Sequence, residues 1–305
     1  MDMGPNDEST RPTSSSTESP RAPSREWLAW SAALGAALVT FAIVYVLLAR
    51  DAFFTGVTHP ATIAMGSGTR GDGLAVDATV LAIDPVTNTV LVRLAIDPSG
   101  SYRIRRRTAN RQVDVLLNAA NGEQKRVYPP NRPIELSDIT LDASGDAVSY
   151  PFDKHTAPLE MQAVDEVGRP IPIRVTVSSD LHDWTIRPVP GADSAEGEVS
   201  IDIIATRSTP VVSFAIALMI LVAILVLVTI GVVIRSIRDP STPDFAIVAS
   251  LVALLFAIPA LRSSLPNAPP PGALTDFLVF FWALVIVGIL MAVLSIVYVR
   301  RYGRQ

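Results

Sequence analysis

From residue 211 to residue 234 the chain runs 24 positions without a charge, and Ser213 and Thr229 are its only clearly polar side chains. A bilayer core of about 30 Å takes roughly 20 helical residues at about 1.5 Å each, so this run predicts a membrane-spanning helix with some tilt. A helix on a water-soluble core would turn a polar face to solvent every few residues, and this one has none. Three further apolar runs stand at residues 27–49, 245–261 and 277–299. The first covers 23 residues, beyond the roughly 7–15 of a signal-peptide core, and no small-x-small cleavage site follows it. It predicts an uncleaved anchor, with Trp27, Trp30 and Tyr45 at headgroup depth. The run at 245–261 is short, 17 residues, and carries Pro259 near its exit. Ser31, Gly35, Ala32 and Ala36 in the first run, Ser250, Ala253 and Ala257 in the third, and Gly288 and Ala292 in the fourth offer faces on which helices approach closely.

Between the first and second runs the pattern changes to short alternating stretches. Strand signals recur at residues 74–83, 90–96, 113–117, 124–128, 171–177 and 199–206. Two alternate cleanly: Ile171, Ile173, Val175 and Val177 against Pro172, Arg174 and Thr176, and Val199, Ile201 and Ile203 against Ser200 and Asp202. Asn121-Gly122 reads as a two-residue hairpin, Asp84-Pro85 and Asp97-Pro98-Ser99-Gly100 as turns, and Gly168-Arg169-Pro170 as a break between strands. Many short strands with Gly/Pro turns predict an all-β sandwich, and about 160 residues bury a core without disulfides.

The predicted fold class is therefore a membrane protein with four transmembrane helices and a β-sandwich between the first and the second. Its parts are a disordered tail at 1–26, helix one at 27–49, the β domain at 50–210, helix two at 211–234, a loop at 235–244, helix three at 245–261, a Pro-rich loop at 262–276, helix four at 277–299 and a terminus at 300–305. The tail is Ser/Thr/Pro-rich, without the apolar surface to offset its ordering entropy.

Composition agrees with a membrane class: 18% of residues are charged, against about 25% in soluble domains, and the mean hydropathy is +0.38. With no cysteine and three histidines, disulfide frameworks and thiolate metal sites are excluded. Lys125 and Lys154 are the only lysines beside many arginines, a bias that suggests GC-rich coding and a bacterial source. Arg21, Arg25, Arg235, Arg238, Arg300, Arg301 and Arg304 flank the spans on one side, against Arg50, Arg207 and Arg262 on the other. The positive-inside rule then places both termini in the cytoplasm and the β domain outside the plasma membrane. From Asp51 to Pro210 there are 21 acidic and 15 basic residues, a mildly acidic balance that argues against nucleic acid.

The candidate chemistry is sparse. Gly66-Ser-Gly-Thr-Arg-Gly71 matches the dinucleotide fingerprint by letters but has no strand before it or helix after it, so it reads as a flexible loop. Arg103, Arg105, Arg106 and Arg107, with Arg111 close by, form the densest basic run. In an extended chain Arg103, Arg105 and Arg107 share a face, which could meet anionic lipid heads or a wall polymer; the alternative is a charge-protected edge strand paired with nearby acids. His59, His155 and His182 lack metal-ligand spacing and read as ordinary surface histidines. Tyr150-Pro151-Phe152-Asp153 is an aromatic-Pro-aromatic turn suited to a packed corner or a docking element. In the loop 262–276, Arg262 and Asp276 bracket Pro266, Pro269, Pro270 and Pro271. The prolines predict a stiff extended path against the base of the β domain, with Asp276 capping the fourth helix and near Arg262 or that base.

One anchor, a β domain with Tyr-Pro-Phe-Asp, Ile-Ile-Ala-Thr-Arg-Ser at 203–208, Leu-Pro-x-Ala-Pro-Pro-x-Gly and then Asp-Phe-Leu-Val-Phe-Phe-Trp together resemble a family of uncharacterised four-span membrane proteins. That family is a domain-of-unknown-function family of actinobacteria and fungi. The resemblance covers about residues 27–300, implies the same topology and carries no activity. The expected function is a non-catalytic integral protein of the cell envelope, with no cofactor, that binds or organises a partner through its outer domain. Its partners would be the lipid bilayer and other envelope or membrane proteins, or a second copy of the chain. A transporter or channel subunit is the alternative and an envelope hydrolase a third reading; the spans lack charge away from Asp244 and Asp276, and no nucleophile motif is present.

Overall fold

The structure is a computed structural model that describes residues 63–65, 72–191, 197–238, 244–267 and 269–302, together with Ala42 and Val46. The tail at 1–26, the glycine-rich stretch at 66–71, His59 and, apart from those two positions, the predicted first span lie outside the described residues.

The described strands are β1 (Ile63–Met65), β2 (Gly73–Asp84), β3 (Thr89–Ser99), β4 (Arg103–Arg105), β5 (Thr108–Ala109), β6 (Val113–Leu117) and β7 (Gln124–Tyr128). They continue with β8 (Ser137–Asp142), β9 (Ser144–Gly145), β10 (Lys154–Asp165), β11 (Ile173–Ser179), β12 (Trp184–Pro190) and β13 (Glu198–Arg207). One sheet has the order β1-β11-β2-β3-β8, the other β12-β13-β10-β6-β7, and β4 and β5 form a small ribbon of their own. Both sheets contribute to one buried core, from Leu74, Val76, Val92 and Leu94 of the first to Leu159, Met161, Ile201 and Ile203 of the second. Strict period-two alternation supplies these positions, since successive side chains of a strand point to opposite faces.

Among the described strands that the sequence did not signal, β10 and β12 carry prolines that tertiary context neutralises. β10 has a proline, Pro158, inside its run. Pro158 falls between the last pairing with β9 at Thr156 and the first with β6 at Met161, where β10 is flanked on one side only and a missing N–H costs the ladder little. β12 carries Pro188 and Pro190 but sits at a sheet edge, and β8 is a short edge strand. Two expected turns also differ. β6 ends at Leu117 and β7 begins at Gln124, so Asn121-Gly122 lies in a longer loop, where Gly122 takes φ +100° and donates to Ala119. Asp97, Pro98 and Ser99 belong to β3, pairing Ala75, Leu74 and Gly73, and the chain turns only at Gly100.

After β13 come three helices long and apolar enough to cross a membrane. We label them α1 (Thr209–Arg238), α2 (Asp244–Ser263) and α3 (Phe281–Tyr302), the last entered through a π-helical turn at Asp276–Phe280. α1 and α2 exceed their predicted spans, and α3 does so once its π-helical turn is counted. The 30 residues of α1 extend about 45 Å, and the 20 of α2 about 30 Å, so α2 is not short. Pro259 lies inside α2 rather than ending it: it removes one backbone donor without stopping the helix before Ser263. A second core, with Val222, Leu251, Ile258, Val287 and Leu294, holds the three helices together. At their far end Arg301 donates to the carbonyl of Ile237 at 2.8 Å, meeting an acceptor in the last turn of α1.

Candidate functional site

The inward-facing rows of β10, β12 and β13 do not end in apolar residues. On β10 the buried series Ala163, Met161, Leu159 and Ala157 continues to His155. On β13 the series Val199, Ile201, Ile203 and Ala205 continues to Arg207. Trp184 opens the inward row of β12 and is the register partner of Arg207. Asp153, two residues before His155, keeps the same phase and is also buried. The last layer of the β core is thus ionic, and it lies where the chain passes from β13 into α1.

Its charged groups face one another. Arg207 Nε donates to both carboxylate oxygens of Asp153 at 3.0 Å, and His155 Nε2 lies 3.3 Å from Asp153 Oδ2. The guanidinium carbon stands 3.9 Å from the centre of the Trp184 ring and 5.1 Å from that of Tyr150, within cation–π range of both. His155 meets Trp184 edge-on, with ring centres 5.6 Å apart and planes at 81°. Gly145, the register partner of His155 on β9, lies so close that a Cβ there would stand 2.2 Å from His155 Nδ1. Glycine at 145 is what lets the imidazole sit in this layer, and His155 is not the surface histidine its sequence context suggested. Burial works against the Asp153 carboxylate, but the bonds from His155 and Arg207 outweigh it and hold its pKa below the ordinary range. Burial also pushes the Tyr150 hydroxyl up to about 12, with the Arg207 charge opposing and the Asp153 charge adding to it.

Tyr150 carries this layer across to the helices. Asp146 caps a single helical turn at Ala147–Ser149 by accepting from Val148 N at 3.0 Å, and the chain leaves it through a cis Tyr150–Pro151 bond. The Tyr150 ring is fully buried and belongs to the core of the three helices rather than to that of the strands. Its hydroxyl donates to the carbonyl of Pro266 at 3.2 Å. Beside it, Asn267 Nδ2 donates to Asp183 Oδ2 at 2.9 Å, and the Asp183 carbonyl accepts from Ser208 N at 2.9 Å. Pro151 is buried, whereas Phe152 is 59% exposed and takes no part.

The loop that receives Tyr150 is organised by one arginine. Arg262 holds Asp276 through two parallel bonds of 2.7 and 2.8 Å, and the same guanidinium donates to the carbonyls of Pro269 and Pro270 at 3.2 Å each. This pairing was expected; the stiff extended path that was also expected does not form. Leu265 N donates to Arg262, Ala273 N to Pro270, and Asn267 and Gly272 adopt φ +52° and +87°, so the loop is a compact succession of turns. Nor does Asp276 cap the amides of its helix. Its Oδ2 accepts from Gly272 N at 2.9 Å, because the carboxylate turns back toward Arg262. Pro271 is exposed and outside this network.

The arginine run lies at the opposite end of the β domain. β10 starts at the helix junction and ends about 40 Å away at Asp165, given about 3.3 Å per residue over its 12 residues. From there the Gly168 turn leads to β11, whose first residue Ile173 pairs Leu74 of β2, itself opposite Pro98 at the end of β3 that precedes β4. Arg103, Arg105 and Arg106 are exposed, and Arg107 takes φ +55°, which ends the strand and removes it from the shared face expected for an extended run. The sequence reading missed His155, Trp184, Arg207, Asp183 and Asn267. The inward phase of β13 held a usable signal for Arg207, two positions beyond Ala205.

Among the described residues, no group of three His, Cys, Asp or Glu converges as a metal site. A family model described as a domain of unknown function (DUF4436) matches residues 65–203, and another domain of unknown function (DUF8686) matches residues 207–301. No curated protein matches the chain. The two matched regions adjoin at Arg207, and the Asp153–Arg207, Tyr150–Pro266 and Asp183–Asn267 contacts join one region to the other.

Proposed function

We propose that this chain is a four-span plasma-membrane protein of the cell envelope, both termini cytoplasmic, that presents its β domain outside as a non-catalytic binding or organising module. The observation that carries this reading is the junction itself. A buried ion pair, a tyrosine seated in the helical core and an Asp–Asn bond fix the β domain on one end of three apolar helices. A β domain so held stands at a defined distance and angle from the helices, which suits presentation of a surface. The arginine distribution along the sequence supports the orientation. Against a transport role, Ser213 and Thr229 spend their hydroxyls on the carbonyls of Pro210 and Leu225 in their own helix, so they do not offer a polar path.

Because the chain has no cysteine, single introduced cysteines test the topology without background. Asn121→Cys in intact cells is expected to react with a membrane-impermeant thiol reagent, while Ser14→Cys and Gln305→Cys react only after lysis. Labelling of Gln305→Cys in intact cells overturns the topology. Photo-crosslinking in intact cells from exposed Val127, followed by mass spectrometry, is expected to give a discrete adduct with an envelope component. Ion or solute flux through liposomes containing only this protein would overturn the non-transport reading.

A further inference from the structure

The sequence places four arginines within five positions, but the tertiary structure adds one from elsewhere. The segment after β7 folds back on the ribbon: Asn131 N donates to Ala109 O at 2.9 Å, Ile134 N donates to Arg107 O at 2.7 Å, and Thr108 bridges Pro133. These bonds bring the segment with exposed Arg132 onto the same ribbon that carries exposed Arg103, Arg105 and Arg106. The Arg111 guanidinium carbon stands over Tyr102, 5.1 Å from the ring centre. Two acids beside the ribbon are engaged by backbone: Asp72 accepts from Ser101 N and Asp97 from Arg107 N. Among the described residues, none of Arg103, Arg105, Arg106 or Arg132 forms an ion pair, whereas Arg93, Arg169, Arg207 and Arg262 each do.

We propose that the β4–β5 ribbon and Arg132 form a docking surface for a flexible polyanion bearing phosphate groups. Every residue of β4 is exposed, and a register shift between Arg103 and Arg105 breaks the regular ladder. The ribbon therefore projects cations in series, to be met by a chain of regularly spaced anions. Guanidinium forks bond phosphate oxygens in pairs, a geometry that lysine lacks. A protein partner fits less well, because protein interfaces centre on aromatic anchors, and the exposed large apolar residues beside these arginines, Ile104 at 52% and Leu136 at 48%, include none. The lipid surface crossed by the helices fits less well too. The ribbon stands about 40 Å from the helix junction, many times the screening length of about 8 Å at physiological salt.

This inference deepens the proposed outer-domain role by naming a partner class. It is tested in vitro, so its failure and a failure of the cellular topology are separable. The full chain in nanodiscs of zwitterionic lipid is titrated with labelled inorganic polyphosphate. Engagement of four arginines is expected to weaken binding on the order of 50-fold between about 50 and 200 mM salt. The variant R103Q/R105Q/R106Q is expected to lose at least about tenfold in affinity and most of that salt dependence, R132Q several-fold, and the control R93Q/R187Q less than about twofold. All these positions are exposed, so circular dichroism should be unchanged. The proposal is overturned if the triple variant binds like the parent or the control loses as much. It is equally overturned if polyglutamate or anionic phospholipid vesicles bind as tightly as polyphosphate, since the occupant would then be an acidic protein or a membrane.

Discussion

The two ends of the β domain use arginine in opposite ways. At the helix junction Arg207 is buried, bonded to both oxygens of Asp153 and enclosed by Trp184 and Tyr150. At the far end Arg103, Arg105, Arg106 and Arg132 stand in solvent without ionic partners among the described residues. The difference follows from dielectric surroundings. A charge removed from water must be matched on the spot, so a buried arginine becomes a fixed structural joint. An exposed one keeps its hydration and remains available to an external anion. The same side chain is architecture at one end and surface at the other.

Breaking the buried end should have the largest effect. Arg207→Ala leaves Asp153 buried and uncompensated, and is expected to destabilise the β domain by about 3–5 kcal/mol, read as a fall in its thermal midpoint in the full-length protein. Arg207→Lys keeps the charge but loses the planar fork and the stacking, and should recover only part of it. An Arg207→Ala midpoint equal to the parent's would mean the layer is not a joint. Acid sharpens the same comparison. The folded pKa of Asp153 is lowered, so its stabilisation is complete above the unfolded value near about 3.9 and is lost as pH falls below that through the folded value. The parent should therefore lose stability in that window more steeply than Asp153→Asn, and parallel acid curves would rule this out.

The next effect in size belongs to the loop that receives Tyr150. Arg262→Gln removes a bidentate bond to Asp276 and releases the carbonyls of Pro269 and Pro270, so protease cleavage within 262–276 should rise. The expected cost is about 1.5–3 kcal/mol, while the thermal midpoint of the β domain changes little. Unaltered proteolysis would show that the turns hold without the arginine.

Smallest is Tyr150→Phe, which keeps the ring in the helical core and deletes only the bond to Pro266, at about 0.5–1.5 kcal/mol. Neutralising the exposed arginines should stay within about 0.5 kcal/mol of the parent. A tip variant that destabilised more than Tyr150→Phe would erase the contrast between the two ends.

How much of this was readable beforehand depended on where the deciding contact lay. The three described apolar helices were each legible as unbroken apolar runs, because a lipid-exposed segment must satisfy its backbone internally and hide no polar face. Six of the thirteen described strands, β2, β3, β6, β7, β11 and β13, were legible as short apolar or alternating stretches, and the Arg262–Asp276 pairing through two opposite charges bracketing a short loop. The turns of that loop were not, because prolines constrain their own φ but not the residues between them, and Asn267 and Gly272 reverse the chain.

What the sequence by itself determined is the division into a β region and apolar helices, since both rest on local periodicity and length. What only the tertiary structure decided is the junction and the tip. Asp153 and Arg207 are 54 positions apart, Tyr150 and Pro266 are 116 apart, and the segment with Arg132 joins the ribbon that carries Arg103 only through the bonds at Asn131 and Ile134. Such meetings depend on sheet register and on how a domain seats on its helices. Neither leaves a period along the chain, because each partner is fixed by its place in the fold and not by its neighbours in sequence.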